Sequence, residues 1–387
     1  MNLQTKNASL VARLFNRDML MVCVFVILCT VLAVFDFVDS PNADVSGEKC
    51  KASVVEVDNS AVVKIGLLLR GEQRVKLKIL SGSHKGEIFD AQNLIRAQMD
   101  LDKVFELGDT AIAAIPNGAV AGKDVINAQD HYRIDKTLLL FGLFAFLLLA
   151  FGGFTGFKAL LSFVFACLLI WKVVVPACLA GVDAILVCLV AVCTLSAVII
   201  FLVAGFTRKG FAAFSGTMLG VLASCIMAWI FTDMFKVNGS SMPYAQALLY
   251  SGYDYLDLSA IFIGALFLSS SGAVMDLSMD VAAGMDEVFK ANSSLSRKEL
   301  ICAGISIGRS VVGTMTTTLL LAYVGGYLTL MMTFFANNVS VYDFLNNPHV
   351  SSEVVKTIVG SFGLVLVAPF TAIVGGVIIA KKPKAAK

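Results

Sequence analysis

The strongest constraint on this chain is a series of long apolar runs separated by polar segments. A helix of about 20 mainly apolar residues crosses the roughly 30 Å hydrocarbon core of a bilayer. Runs that approach or reach this length lie at residues 19–35, 137–154, 158–176, 183–205, 211–232, 256–279, 309–335 and 354–380. Only 15% of the residues are charged, against about 25% in soluble proteins. The sequence therefore predicts a predominantly α-helical membrane protein with eight transmembrane helices.

The basic residues predict the orientation of these spans. Outside the polar stretch 36–136 the chain has 17 Lys and Arg residues, and 14 of them lie on the same side as the N-terminus. Short cytoplasmic loops carry an excess of Lys and Arg, whereas long translocated segments do not follow this rule. Both termini are therefore predicted to be cytoplasmic. No small-residue cleavage site follows the first run, which is typical of an uncleaved signal anchor.

This topology divides the chain into five parts. They are a cytoplasmic N-terminus (1–18), a first anchor (19–36), an extracytoplasmic β-rich domain (37–136), a seven-helix bundle (137–380) and a basic cytoplasmic tail (381–387). In the β-rich domain the apolar period becomes roughly two, which is typical of half-buried strands. The predicted strands lie at 54–57, 62–65, 74–79, 87–89 and 110–115. Five short strands predict a small barrel of the SH3-like or OB type.

A basic stripe follows one predicted strand of this domain. Arg74, Lys76 and Lys78 alternate with apolar residues and would line one face. The stripe would either bind an anionic ligand or form the solvated side of the strand. The domain has 16 acidic and 13 basic residues, so it lacks the positive excess that nucleic-acid binding requires.

Two carboxylates in the sixth span are candidates for ion binding. Asp276 and Asp280 are one helical turn apart and share a face. Two charged carboxylates at that spacing repel each other, so one tends to hold a proton. Ionisable groups in a bilayer are costly and are functional candidates by default. The pattern predicts a proton or sodium site.

The seventh span offers partner groups for these carboxylates. Arg309 opens the predicted span, at a depth similar to that of Asp276 if the two helices form a hairpin. Hydroxyl groups follow at Thr314, Thr316, Thr317, Thr318 and Tyr323. Such small polar residues let helices approach closely and can replace water around an ion. We expect the cluster to bind an ion or a substrate.

Purely structural interpretations of the same residues stay open. Counted from Leu258, the sixth span reaches the cytoplasmic interface near Asp276, where a carboxylate is hydrated. The threonines would then serve helix packing. Ser296 and Glu299 have the spacing of a helix capping box.

Enzyme functions find little support in the sequence. All three histidines, His84, His131 and His349, lie outside the predicted spans, and neither an HExxH nor a GxxxxGK[ST] motif is present. No cysteine pair has CxxC spacing. The chain is predicted to be neither an enzyme nor a binder of a metal or cofactor.

Several motifs resemble one known family. They are Ser271–Asp276 (SGAVMD), Leu295–Leu300 (LSRKEL), Gly313–Met315 (GTM), Leu319–Gly326 (LLLAYVGG) and, in the polar domain, Ser81–Glu87 (SGSHKGE). Together they are similar to the YibE/F-like family of bacterial multi-pass membrane proteins. The resemblance implies a first anchor, a β-rich extracytoplasmic segment and a helical bundle in the bacterial plasma membrane. Family members usually have a small polar residue at position 280 and often Asn at 317, so Asp280 and Thr317 are departures.

Two functions from different classes follow as expectations. The first is a permease-like protein that couples a proton or cation to the transport of a small solute through the cluster between the sixth and seventh spans. The second is a scaffold or receptor whose β domain binds an envelope component or a partner protein. A partner subunit would contact the cytoplasmic segment 284–305, and the lipid bilayer surrounds the bundle.

Overall fold

The computed structural model describes residues 19, 21–34, 47–99 and 101–380. The predicted cytoplasmic N-terminus (1–18) and basic tail (381–387) lie outside these residues. The chain divides into two compact units. One is Ser40–Ala150, and the other, called the helical unit below, is Met1–Asp39 with Phe151–Lys387. Each unit has an apolar core of its own.

Helices dominate the described residues. They are α1 (Met21–Val34), α2 (Ile134–Leu169), α3 (Val175–Leu179), α4 (Ala184–Ala204), α5 (Arg208–Met234), α6 (Ala245–Tyr250), α7 (Leu258–Ala291), α8 (Arg297–Gly326), α9 (Leu328–Ala336), α10 (Val341–Asn346) and α11 (Pro348–Ile378). Within this part of the chain, six elements are long and apolar enough to cross a membrane: α2 with α3, α4, α5, α7, α8 and α11. The apolar helix α1 is shorter.

Two predicted spans fall within one helical element. Residues 137–154 and 158–176 both belong to Ile134–Leu179. The backbone leaves helical geometry near the end of the first span at Gly153, where φ is 52° and ψ is −128°. A positive φ of this kind favours glycine, which has no Cβ to clash. A π-helical turn, Ile170–Val174, precedes α3. Pro176 follows this turn and lacks the N–H that a regular helix needs.

The start of α8 differs from the predicted span. The helix begins at Arg297, so Arg309 lies twelve residues inside it instead of opening it. The predicted capping box is confirmed: Ser296 Oγ accepts from Glu299 N at 3.3 Å, and Glu299 Oε2 accepts from Ser296 N at 2.8 Å. These bonds satisfy backbone donors at the helix start. The apolar pattern marks only the later part of the helix.

Glycines allow close helix packing at the centre of the helical unit. A Cβ at Gly220 of α5 would lie 2.9 Å from Val367 Cβ of α11 and 3.0 Å from Val274 Cγ1 of α7. A Cβ at Gly308 of α8 would lie 2.7 Å from Ala368 Cβ. Small residues at such points let helix backbones approach each other within the membrane.

The unit Ser40–Ala150 contains a closed β-barrel. Its strands are β1 (Glu48–Asp58), β2 (Val62–Ile65), β3 (Leu68–Ile79), β4 (Ile88–Arg96), β5 (Thr110–Ile115) and β6 (Val125–His131). β1 pairs with both β3 and β5, and β6 lies between β5 and β4, which closes a ring of five strands. β2 pairs with β3 alone and stays outside the ring. The β4–β6 pair is parallel, and the other pairs are antiparallel.

The predicted strands fall within β1 to β5, except that Glu87 lies one residue before β4, and the sequence analysis missed β6. Only two side chains of β6 are fully buried, Ile126 and Ala128. Ala128 is a weak apolar signal and has low strand propensity. The pairing of β6 with β4 and β5 therefore decides its conformation.

The basic stripe on β3 is exposed and largely neutralised. Val75, Leu77 and Ile79 are buried in the barrel core, as predicted. Lys76 Nζ lies 2.7 Å from Glu56 Oε2, and this hydrogen bond raises the pKa of Lys76. Arg74 Nε lies 3.2 Å from Glu72 Oε1. These contacts favour the solvated strand face over an anion site.

A buried amide pair holds the 103–105 segment on the barrel. Gln73 Oε1 accepts from Asn93 Nδ2 at 3.0 Å and from Phe105 N at 2.9 Å. Gln73 Nε2 donates to Phe105 O at 2.9 Å, and Asn93 Nδ2 donates to Lys103 O at 2.7 Å. Both amides are fully buried, so each bond replaces hydration that the fold removes.

Replacing Gln73 with methionine is expected to destabilise the barrel by about 2 kcal/mol, because buried donors and acceptors lose their partners. Hydrogen exchange of the Phe105 amide in the full-length protein should accelerate. Gln92→Met, at an exposed position of β4, is the matched control and should leave the exchange unchanged. Equal exchange in both variants would contradict a clamping role for Gln73.

Candidate functional site

Helices α7 and α8 form an antiparallel hairpin whose contacts give its register. Ser269 Oγ and Tyr323 Oη are 2.9 Å apart and hydrogen bonded. Nearer the connecting turn, a Cβ at Gly284 would lie 2.9 Å from Ile307 Cδ1. These two contacts place residue 276 of α7 level with residues 315 and 316 of α8.

The two predicted carboxylates share an exposed face of α7. Asp276 and Asp280 are exposed in the single chain, whereas Met275 and Leu277 are buried. Within the part of the chain that the structure describes, neither carboxylate has an ion pair or a hydrogen bond. Asp276 lies about 27 Å along the helix from Leu258 at 1.5 Å per residue. A helix of that length spans most of a roughly 30 Å hydrocarbon core, so Asp276 lies towards the end of the span that is nearer to the α7–α8 turn.

The prediction that Arg309 shares the depth of Asp276 is wrong. The hairpin register places Arg309 level with residues 282 and 283, about 10 Å along the axis from Asp276 and about 4 Å from Asp280. The turn between α7 (ending at Ala291) and α8 (beginning at Arg297) fixes this register, and it leaves Arg309 nearer to the turn than Asp276 is. Arg309 is therefore closer in depth to Asp280 than to Asp276.

The hydroxyl hydrogens of the predicted threonines form hydrogen bonds to backbone carbonyl oxygens of α8. Thr316, Thr317 and Thr318 donate to the carbonyl oxygens four residues earlier, at 2.8–3.1 Å, and Thr314 donates to Val311 O at 2.9 Å. The hydroxyl oxygens keep lone pairs for a cation or a second donor. Thr314, Thr317 and Thr318 are exposed, and Thr316 is half-buried. The hydroxyl groups thus form a row of acceptors at the level of Asp276.

A second cluster, which the sequence analysis missed, lies at the start of α11. Lys356 Nζ is 2.7 Å from Glu353 Oε1, and both side chains are largely buried. The ammonium group lies 5.4 Å from the centre of the Phe262 ring and 5.8 Å from that of Tyr327. Glu353 Oε2 is buried without a hydrogen-bond partner. The i, i+3 spacing was visible in the sequence, but the rings that bury the pair come from α7 and from the end of α8.

An apolar pocket of about 260 Å³ adjoins this cluster. Tyr323, Tyr327 and Glu353 are its principal polar residues, and the remaining walls come from α8, α9, α10 and α11. Tyr323 of this pocket also forms a hydrogen bond with Ser269 of α7, which lies about 10 Å along the helix from Asp276. The pocket is therefore joined to α7 through one tyrosine.

Both clusters lie within the region that a family model matches. The model described as YibE/F-like protein matches residues 140–381, well over half of the chain. The chain belongs to the YibE/F-like family. The resemblance expected from the motifs in α7 and α8 is thus confirmed. No curated protein and no solved structure matches the chain.

In this YibE/F-like chain the predicted partner segment 284–305 is mostly helical. It comprises the end of α7, a turn at 292–296 and the start of α8. Lys290 Nζ pairs with Asp286 Oδ2 and Glu287 Oε1, each at 2.9 Å. Arg297 and Lys298 are exposed at the start of α8. Contact with a partner subunit through this segment stays a prediction.

Proposed function

We propose that this YibE/F-like chain is a plasma-membrane protein that crosses the bilayer eight times, with both termini cytoplasmic. The six long apolar helices support several crossings, α1 adds a further anchor, and the break at Gly153 would separate two passes. The excess of basic residues on one side supports the orientation. In this arrangement the β-barrel is extracytoplasmic.

The barrel is proposed to be of the OB type. Its ring runs β1-β3-β4-β6-β5, and its one parallel pair joins β4 to β6. An OB barrel is a five-stranded Greek-key barrel, which this order matches better than the SH3-like alternative. Such a module binds or docks through its loops and outer strand faces, in keeping with a domain that guards entry to a membrane pathway.

The main proposed function is transport of a small solute coupled to a proton or cation along the α7–α8 face. The observation that carries it is the pair of carboxylates, Asp276 and Asp280, one turn apart, with a row of hydroxyl oxygens at the level of Asp276. Carboxylate and hydroxyl oxygens are suitable ligands for hard cations. Because the two carboxylates disfavour simultaneous ionisation, the same pair also suits proton binding and release.

The remaining groups have defined roles in this proposal. Arg309, near the level of Asp280, would balance the charge of the carboxylate pair, and Asp276 would bind and release the proton or cation. Tyr323 and Ser269 would connect the site with the outer pocket beside Glu353. Intramembrane ionisable residues typically mark such ion pathways.

Ion flux in proteoliposomes tests the proposal. The full-length protein is reconstituted, proton and sodium gradients are imposed in turn, and wild type is compared with Asp276→Asn. We expect flux in the wild type and a fall to the leak level in the variant, since an amide neither ionises nor exchanges a proton. Asp286→Asn, on the same helix but within a cytoplasmic ion-pair network, is the matched control and should keep the wild-type flux. Unchanged flux in Asp276→Asn would refute the role of this residue.

A second candidate function is that of an envelope receptor or scaffold. A charged cleft of about 520 Å³ on the barrel favours it. Glu56, Asp58, Glu72 and Asp90 outnumber Arg74 and Lys76 among its lining residues. The absence of flux in the wild type under both gradients, together with retention of an envelope protein by the barrel, would support this function over transport.

A further inference from the structure

The exposed face of α7 and α8 carries charged and hydroxyl side chains that are unsuited to contact with lipid tails. In the apolar stretch of α8 that is long enough to cross a membrane, almost no residue is buried. About half of the residues are buried in the corresponding stretches of α4, α5, α7 and α11. α8 is nevertheless the least apolar of the six long elements. Asp276, Asp280 and Arg309 are exposed, and so are three of the threonines. Lipid tails cannot hydrogen bond to these groups, so another polar surface has to cover them.

Two glycines on the same face leave room for a further helix to pack against it. A Cβ at Gly272 of α7 or at Gly313 of α8 would meet no described atom within 4 Å. By contrast, Gly304 and Gly308 on the other side of α8 already pack against Met285 and Ala368. Small residues in membrane helices favour close approach of a further helix. The face therefore has both the polar groups and the shape for a second helical surface.

We propose that a second copy of this chain covers the α7–α8 face, related by a two-fold axis along the membrane normal. Only such an axis keeps both copies in the same orientation in the bilayer, and it keeps each residue at its own depth. Helix α7 of one copy then lies against α8 of the other, in an isologous four-helix contact. This inference does not depend on transport, since the face needs a cover whatever the protein does.

Charge complementarity identifies the occupant as a second copy. Asp280 and Arg309 lie within about 4 Å of the same depth, yet within the described part of the chain neither has an ion-pair partner. The two-fold axis brings Asp280 of each copy opposite Arg309 of the other, which makes two equivalent ion pairs. The same rotation places Asp276 opposite Thr314 and Thr317 of the second copy. The acidic and hydroxyl groups of the site would thus be completed across the interface.

Cysteine cross-linking in membranes tests this arrangement. The exposed cysteines Cys23, Cys167, Cys193 and Cys302 are first replaced by alanine. Thr317→Cys then introduces a thiol on the proposed interface. Ile226→Cys introduces one on the exposed side of α5. The contacts that α5 and α8 each make with α11 place residue 226 within about 3 Å of the depth of residue 317. A short bifunctional thiol reagent is expected to convert more than half of Thr317→Cys to a homodimer and less than a tenth of Ile226→Cys.

Charge reversal supplies the second measurement. Asp280→Arg and Arg309→Asp should each lower the cross-linked fraction several-fold, because like charges would then face each other, and the double variant should restore it. Copurification of two differently tagged wild-type copies shows association without any substitution. Equal cross-linking at positions 226 and 317, linkage of position 317 to a different protein, or failure of the tagged wild-type copies to copurify would each overturn the proposal.

Discussion

Replacing Lys356 with methionine is expected to destabilise the helical unit by about 3 kcal/mol, because the Glu353 carboxylate would stay buried without its cation. The side chains of Lys356 and Glu353 are only 16% and 13% exposed. Removal of one partner from such a pair costs far more than the net stabilisation that the intact pair provides. Thermal unfolding in detergent, followed by reaction of a thiol dye with newly exposed cysteines, measures the change.

The chain provides a matched control for this variant. Lys236 and Asp233 form a pair with the same i, i+3 spacing at 3.0 Å, but their side chains are 79% and 83% exposed. Lys236→Met should leave the melting temperature close to that of the wild type, since exposed pairs contribute little. Adding Glu353→Gln to Lys356→Met should recover much of the lost stability. Equal shifts for the two lysine variants would show that burial does not govern the Glu353–Lys356 pair.

Replacing Gly216 with alanine is expected to weaken the α5–α11 contact by about 2–3 kcal/mol, which is typical of overpacking a tight core. The added Cβ would clash with Thr371 Oγ1 and would lie 2.9 Å from Thr371 Cα. A side chain can rotate away, but the Cα belongs to the α11 backbone, so the helices themselves would have to separate. The melting temperature and the yield of monodisperse protein should both fall.

Gly326→Ala is the control for this substitution. A Cβ there meets no described atom within 4 Å, and alanine is a better helix former than glycine. The melting temperature should therefore stay the same or rise slightly. A similar loss in the two variants would mean that α5 and α11 do not approach as closely at Gly216 as the distances indicate.

Local patterns predicted much of this fold because they depend on neighbouring residues. The alternation of Val75, Leu77 and Ile79 gave β3, and the spacing of Ser296 and Glu299 gave the capping box at the start of α8. The apolar runs gave the long helices for the same reason. Strand β6 was missed because its pairing with β4 and β5, rather than its own weak alternation, holds it in the barrel.

The candidate site was predicted less completely, since depth and burial depend on several helices at once. The sequence placed Asp276 and Asp280 on one face correctly, because one turn of one helix decides that relation. It placed Arg309 too close to the level of Asp276, because the apolar pattern does not reveal where α8 begins. It missed Glu353 and Lys356 because Phe262 and Tyr327, which enclose them, belong to other parts of the bundle.

The strand order of the barrel has a consequence for biogenesis. Strand β6 separates β4 from β5 in the ring, so both strands keep an unpaired edge until Val125–His131 has been synthesised. Open edges of this kind favour pairing with other chains. Helix α2 starts at Ile134, only a few residues later. The barrel can therefore close only when synthesis has reached the apolar helix that follows it, which gives chaperones a defined interval in which to act.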